Sequence, residues 1–406
     1  MAIKKILTNG NAFRRTDNRW GGVVWYRDEQ GERKRKSFSG TTKQEVNRKM
    51  TDYIANFEKE TNENAEARKT LRESMQKWLE IFKFPSIERT TYDRYECTAK
   101  NQIYSLLGDK IVENITAADI KQLLNHWMQK GLAWTTVKKV YVILGEYFKY
   151  LLQQEIIPKN PMNSAPMIKK SNFLAAQNKE DLPVNESITI FTTEEIERMK
   201  AEAFKEYKTG KRLYRQAGAY ILMLNTGLRT GELLALLNRD IDFDNRMIHV
   251  RQGMKRVNIR EGTEQVGKRT ECRIGKLKSA TSKRDIPLND TAIHMIQDLR
   301  KEAYFGEDSP LICDENGNYV KHDVFRRRYY RLLDSANIPI RGLHSLRHTF
   351  ATMLVNGIPQ EDGTVKALTV KQVADLLGHS TTQVTEMYYV KRDSTKLNGI
   401  TNEFNL

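Results

Sequence analysis

Pro158 and Pro161 divide this chain. A proline has no backbone N–H and its ring clashes with the carbonyl four residues back, so no helix runs through the pair. Upstream, from Thr70, apolar residues recur at helical spacing. Leu71, Met75, Trp78, Leu79 and Phe82 form one face, and Tyr92, Tyr95, Ala99 and Ile103 a second. Thr116 and Asp119 make a capping box ahead of Leu123, Leu124 and Trp127. Val137, Val140, Tyr141, Leu144, Phe148 and Leu151 mark a fourth helix. Four helices in this window predict a bundle over 70–162. With 406 residues the chain is too long for one core, so further domains are expected. Residues 163–187, with Lys169, Lys170 and Pro183 among polar neighbours, read as an extended connection to a domain over 188–406.

Ahead of the bundle, Trp20–Arg27 and 33–38 read as strands joined by the turn chemistry of Asp28-Glu-Gln-Gly31. Residues 42–57 have helical spacing through Val46, Met50, Tyr53, Ile54 and Phe57, and 61–68 is polar enough to be a linker. A small α+β unit over 1–64 follows from this pattern. Arg33 and Arg35 lie on its second strand with Lys34 and Lys36, next to Trp25 and Tyr26. A basic two- or three-stranded ribbon fits a DNA major groove. The whole chain carries 67 Lys+Arg against 51 Asp+Glu, a formal charge of +16, which favours a polyanionic partner through counterion release. Lys138 and Lys139 are candidates for a DNA-facing helix surface in the bundle.

Composition also excludes classes. Cys97, Cys272 and Cys313 are scattered and lack metal-ligand spacing, so no structural zinc is expected, and a reducing cytoplasm is. No apolar stretch is long enough for a signal peptide or a membrane span.

The chemistry-bearing residues lie in the last domain. His344, Arg347 and His348 are spaced i, i+3 and i+4, hence on one helix face, with Leu346, Phe350, Met353 and Leu354 as a separate apolar stripe. That leaves the polar face free to look into a site. Thr369 and Gln372 form a capping box for a helix that ends at Leu377, with Gly378 past its end and His379 emerging beyond. Ser380 and Gln383 form another, opening a short helix that delivers Tyr388; its neighbour Tyr389 is indistinguishable from it by pattern. Upstream, Arg229 follows the Gly227 turn and precedes a helix, a favourable place for phosphate, and Glu232 is placed to orient a basic neighbour. Two guanidiniums, imidazoles and a phenol are what attack of a tyrosine on a phosphodiester requires.

The boxes Thr226-Gly-Leu-Arg-Thr-Gly-Glu-Leu, His344-Ser-Leu-Arg-His-Thr-Phe and Leu377-Gly-His-Ser…Tyr388 resemble those of the tyrosine recombinases, the phage-type integrases, and in layout the integrases of Gram-positive conjugative transposons. The resemblance implies a multidomain, mainly α protein: a small α+β arm-site domain, a helical core-binding domain, and a mixed, mostly α catalytic domain with a small antiparallel sheet. It implies catalytic roles for Arg229, His344, Arg347, His379 and Tyr388, family spacing favouring Tyr388 over Tyr389. It also implies a catalytic lysine before Asp285-Ile-Pro-Leu288, where Lys278 fits best and Lys276 and Lys283 are rivals. An added stretch, 253–275, is basic through Lys255, Arg256 and Arg269 and reads as a β-hairpin insertion with Glu261-Gly262 as its turn; 359–367 reads as a longer helix connection. The implied reaction forms a 3′-phosphotyrosine without metal, nucleotide or other cofactor. The implied partners are double-stranded DNA, further copies of the chain as dimer to tetramer, and an excisionase or DNA-bending protein. A prophage integrase, a type IB topoisomerase and a non-catalytic DNA-binding regulator are the rival readings.

Overall fold

The computed structural model describes residues 5–28, 31–179, 189–210, 212–277, 282–359 and 364–389, with backbone alone at 58–66, 268–269 and 359. The chain divides into two compact units, Met1–Asp181 and Leu182–Leu406. Lys278 and the tail beyond Tyr389 lie outside the described residues.

The first unit opens with an antiparallel sheet. β1 (Lys5–Thr8) and β2 (Phe13–Arg14) pair with successive parts of β3 (Trp20–Arg27), and β4 (Arg33–Gly40) pairs with all of it. Both expected strands are present; β1 and β2 are too short to show alternation. Trp25 faces Arg35 in the register and Tyr26 faces Lys34. The pleat therefore puts Val24 and Tyr26 on one face and Trp25, Arg33 and Arg35 on the other. α1 (Lys43–Ala67) covers the first face, burying Val24 against Val46 and Met50, with Tyr26 5.2 Å from Phe57. α1 is longer than its sequence pattern. The stretch 61–68, expected as a linker, continues the helix as far as Ala67. It has no Gly or Pro, and once a helix is nucleated polar residues propagate it.

The bundle comprises α2 (Leu71–Trp78), α3 (Arg89–Thr98), α4 (Tyr104–Leu107), α5 (Ala117–Gln129) and α6 (Trp134–Gln153) around Leu71, Met75, Tyr92, Ile103, Leu124 and Phe148. The Thr116 box forms as expected, with the Asp119 carboxylate accepting the Thr116 N–H at 2.9 Å. Phe82, expected inward, is 44% exposed. The backbone widens to a π-helix over Leu79–Lys83, which rotates the following side chains off the apolar face. Beyond the prolines the chain is not extended. α7 (Lys170–Ala175) folds back, burying Phe173 in the bundle core, and the Gln177 amide donates to the carbonyls of Met128 and Leu132 at 2.8 and 3.0 Å. The segment expected as a connection from 163 is thus packed at least to Gln177. A helix of one and a half turns with one buried residue carries no period to read.

In the second unit α8 (Thr193–Ala203) starts at the Thr192/Glu195 capping box. α9 (Gly218–Thr226) is buried along nearly its whole length and ends at Gly227; α10 (Thr230–Leu233) is a single turn. β5 (Ile241–Asp242) and β6 (Met247–Val250) begin a sheet that the chain leaves for a hairpin, β7 (Gln252–Glu261) and β8 (Glu264–Lys276), before β9 (Arg284–Pro287) completes it beside β6. The hairpin is the expected insertion, and Gly262, at φ +60°, lies in its turn. α11 (Asp290–Glu302), α12 (His322–Ser335) and α13 (His344–Asn356) enclose α9. A minimal pair, β10 (Ile358–Pro359) and β11 (Val365–Lys366), stands where a longer helix connection was expected. α14 (Val370–Leu377) and α15 (Thr382–Tyr389) follow. No described helix is long and apolar enough to cross a membrane.

Phe173→Ala in the full chain should lower the stability of the first unit by about 3 kcal/mol, the cost of emptying a buried aromatic site. Urea denaturation followed by Trp fluorescence reads this; an unchanged midpoint would mean that α7 is not part of the bundle.

Candidate active site

Two helices end alike. α9 stops at Gly227 and α14 at Gly378, both left-handed, with φ +63° and +65°. At Gly227 a β-carbon would also come within 2.5 Å of the Phe350 ring, so glycine is required twice over. Each reversal leaves carbonyls at the negative end of a helix dipole. Arg347 of α13 fills the space between them. Its Nη1 donates to the Gly227 carbonyl at 2.8 Å and its Nη2 to the Leu377 carbonyl at 2.6 Å, with His379 Nε2 at 3.2 Å from Nη2. The expected free polar face of α13 is therefore not free at Arg347, which is 1% exposed. Burial first, then Arg229 nearby, pushes its pKa down.

Glu232 organises the other side. Its carboxylate accepts the backbone N–H of Arg229 at 2.9 Å and Arg229 Nη1 at 2.7 Å. It also accepts Arg284 Nη1 and Nη2 at 3.1 and 2.9 Å, a bidentate pair whose side chains are 4% and 6% exposed. Arg284 Nε then donates to the Leu376 carbonyl at 2.6 Å. One carboxylate thus ties α10, β9 and the end of α14 together. Burial would raise its pKa, but Arg284 and Arg229 overcome this and hold it at about 2. Sequence reasoning missed Arg284, hidden in the basic run Ser282-Lys-Arg-Asp285. A signal existed: Arg284, Ile286 and Leu288 are buried while Lys283, Asp285 and Pro287 are exposed, the alternation of a half-buried strand.

Three imidazoles line the cleft. His344 meets solvent at its mouth, and its ring stands edge-on to His348 at 4.5 Å. Loss of hydration in the cleft, then His348, Arg347 and Arg229, holds the His344 pKa down to about 4. Burial, then Arg347 and Arg229, does the same for His379. His379 Nδ1 is 2.9 Å from Thr385 Oγ1 on α15, fixing that ring. α15 begins at Thr382, one residue later than a Ser380 cap requires.

The two tyrosines part company here. Tyr389 is 3% exposed, its Oη lies 3.0 Å from His348 Nδ1, and its ring lies parallel to His379 at 6.3 Å. Burial raises its pKa, and Arg347 and Arg229 pull against that rise. Tyr388 is half-buried, lies parallel to the His348 ring at 6.2 Å, and makes no hydrogen bond among the described residues. Lys278 falls outside the described residues; its rivals Lys276 and Lys283 are both exposed.

The expected DNA-facing residues are spread over both units. Arg33 and Arg35 are exposed on the sheet face opposite α1, with the Arg33 guanidinium 4.5 Å over the Trp25 ring. Lys138 and Lys139 are exposed on α6, Lys138 lying 4.9 Å over Trp134. On the hairpin Lys255 is half-buried, and Arg256 is ion-paired to Asp323 at 3.0 Å, anchoring β7 to α12. The Arg269 side chain is outside the described residues.

An arginine buried between two helix ends, a second arginine oriented by a carboxylate, and phenols beside imidazoles are the groups that phosphodiester chemistry calls for. Residues 189–395, just over half the chain, match the phage integrase family. The chain belongs to that family. Residues 70–128 match the SAM-like N-terminal domain of phage integrases. A XerC-like tyrosine recombinase of Caldanaerobacter subterraneus is 29% identical over 379 residues, 89% of each chain. The transposase of transposon Tn916 from Enterococcus faecalis is 23% identical over 307 residues, 70% of this chain and 65% of that one. Among solved structures, a Tn1549 transposon integrase in complex with circular intermediate DNA matches with a TM-score of 0.62 at 20% identity, over 82% of this chain and 99% of that one. A λ integrase tetramer bound to a Holliday junction gives 0.57 at 18% identity, over 95% and 98%. These integrases share the mainly helical fold with small antiparallel sheets. As a tyrosine recombinase of the phage integrase family, the protein is a site-specific DNA recombinase.

Glu232→Gln in this integrase leaves Arg284 buried without its anion, so stability should fall by about 3 kcal/mol and cleavage should slow with it. Denaturant titration and a single-turnover cleavage assay check the two effects. Stability should also depend on pH in a defined direction. The folded histidines stay neutral where the unfolded ones, with pKa about 6.5, take up protons. The unfolded state then binds more protons, so stability falls as pH drops from about 6.5 toward 4. Glu232 adds its own loss only below its unfolded pKa of about 4.3. The thermal midpoint should therefore decline between pH 7 and pH 5, and His379→Gln should flatten the slope.

Proposed function

We propose that this recombinase cuts and rejoins double-stranded DNA at the ends of a mobile element, integrating and excising it through a 3′-phosphotyrosine on Tyr388. The observation that carries this reading is the Arg347 and Arg229 pair, held by helix ends and by Glu232, with the Tyr388 ring parallel to His348 at 6.2 Å. The spacing from His379 supports Tyr388 as the nucleophile, and Tyr389 is buried and bonded to His348.

In the proposed reaction Tyr388 Oη attacks the scissile phosphorus and the bond to the 5′-oxygen breaks. Arg229 and Arg347 neutralise the non-bridging oxygens, where charge accumulates in the five-coordinate transition state. Two carbonyl bonds leave Arg347 with further N–H groups to offer. His344 adds a hydrogen bond from the mouth, and His379 aligns Arg347 through Nε2. Lys278 protonates the leaving oxygen as general acid. The 5′-hydroxyl of a partner strand then attacks the phosphotyrosine and restores a phosphodiester. Bond energy is conserved in the covalent link, so the chemistry calls for no metal and no nucleotide.

Further grips on DNA come from Arg33, Arg35 and Trp25 of the sheet, Lys138 and Lys139 of α6, and Lys255 of the hairpin. Two rounds of strand exchange need a dimer growing to a tetramer on DNA, with an accessory excisionase or DNA-bending protein setting direction. Similarity to the Tn916 transposase favours a conjugative transposon as the element; covalent cleavage mapped to prophage ends instead would reassign it.

Tyr388→Phe should abolish the covalent complex on a nicked suicide substrate while leaving DNA binding intact, and Tyr389→Phe should retain it. The opposite pattern gives the role to Tyr389.

A further inference from the structure

The proposed reaction leaves Arg284 without a role, although its guanidinium is buried and bonded at every nitrogen. Nη1 and Nη2 donate to the two oxygens of Glu232 at 3.1 and 2.9 Å, Nε to the Leu376 carbonyl at 2.6 Å, and Nη1 also to the Ser282 carbonyl at 3.3 Å. Two of these partners belong equally to the phosphate-binding arginines. Glu232 Oε1 accepts Arg229 Nη1 at 2.7 Å as well as Arg284 Nη1, and Oε2 accepts the Arg229 backbone N–H at 2.9 Å as well as Arg284 Nη2. Leu376 and Leu377 are consecutive at the end of α14, and the Leu377 carbonyl accepts Arg347 Nη2 at 2.6 Å.

We propose that Arg284 is a positioning residue that sets both the charge and the spacing of the Arg229–Arg347 clamp, an inference that rests on the roles given above to those two arginines. The charge follows from the shared carboxylate. Alone with Arg229, Glu232 would cancel its charge and, with both oxygens open, draw the guanidinium into a two-point pair. Arg284 takes that two-point place instead. Arg229 is then held at Nη1 and by its backbone, the three side chains together carry one net positive charge, and the other N–H groups of Arg229 stay free for a non-bridging oxygen. The Arg229 side chain, 36% exposed beside a carboxylate that is 4% exposed, has the open side this needs.

The spacing follows from the Nε bond. Arg284 runs from the carboxylate that holds Arg229 to the helix end that holds Arg347, a rigid planar strut between the two grips. Charge that develops on both non-bridging oxygens at once is stabilised only if both donors stand at the right distance. Arg284 touches neither oxygen and acts through Glu232 and the end of α14.

The test uses the full-length protein and single-turnover cleavage of nicked suicide substrates. The scissile position carries either phosphate or one stereoisomer of a methylphosphonate, in which a methyl group replaces one non-bridging oxygen and its charge is lost. Arg229→Ala identifies the stereoisomer that answers to Arg229: on phosphate it should lose about 100-fold or more, and on that stereoisomer it should cleave at close to the parent's rate. Arg284→Lys keeps a cation beside Glu232, and with it the fold, but cannot span both oxygens and reach the Leu376 carbonyl. Its cleavage of phosphate should slow by about 10-fold or more, with DNA affinity unchanged, and on the Arg229-responsive stereoisomer most of that loss should disappear. Arg284→Met should lose about 100-fold on phosphate and recover on the same stereoisomer; if it does not fold, Arg284→Lys decides. A loss of equal size on phosphate and on both stereoisomers is what a merely structural arginine gives, and it would overturn the proposal, as would parent-like cleavage of phosphate by Arg284→Lys. Rescue by a 5′-bridging phosphorothiolate, which needs no leaving-group acid, would also overturn it and tie Arg284 to the Ser282 segment instead. Failure of Arg229→Ala to recover on either stereoisomer would remove the clamp reading beneath the proposal.

Discussion

The guanidinium of Arg347 is a buried cation bonded to helix ends. Its partners are the carbonyls of Gly227 and Leu377, the negative termini of α9 and α14. Partial charges of that kind offset only part of the cost of taking a cation out of water, several kcal/mol per ion. Among the described residues around it, one carboxylate, Glu232, faces the three guanidiniums of Arg229, Arg284 and Arg347. The site is left short of negative charge, and its histidines are held down first by burial and then by the same guanidiniums. In the proposed reaction a phosphodiester supplies one charge, and its pentacoordinate transition state supplies more. An arrangement of this kind favours the state with the most negative charge, which is the physical basis of the proposed transition-state stabilisation.

The same contacts make the site a product of the whole second unit. Arg347 can close both helix ends only if Gly227 and Gly378 reverse the chain, and Gly227 must also clear the Phe350 ring. Glu232 holds Arg229 by its backbone and its side chain, while Arg284 couples that grip to the strand that follows the hairpin and to Leu376. Residues from α10, β9, α13, α14 and α15 therefore meet through bonds with little freedom. Rigid support of this kind holds reacting groups to the tolerance that chemistry needs.

Much of this was legible in the sequence, because local rules govern it. The capping boxes at Thr116 and Thr369 open their helices where the pattern says, and Gly262 lies in the hairpin turn. The positions Arg229, His344, Arg347 and His379 could be picked out as a cluster. What escaped depends on register or on distant partners. The π-turn that exposes Phe82 has no sequence period, and the polar end of α1 has no stop signal. Arg284 looks like one more basic residue until Glu232, 52 residues away in the chain, is brought against it. Adjacent residues on a helix point about 100° apart, so which of Tyr388 and Tyr389 is buried turns on where α15 starts and how α14 hands over to it. Spacing from His379 does not contain that angle.

The central claim is that Tyr388, beside the Arg347 cluster, is the phenol that reacts. Its most direct measurement is tandem mass spectrometry of the tryptic peptide 372–391, isolated with its nucleotide remnant from the unaltered protein after cleavage of a suicide substrate. The account predicts fragment ions that carry the adduct on Tyr388. An adduct on Tyr389 would contradict it.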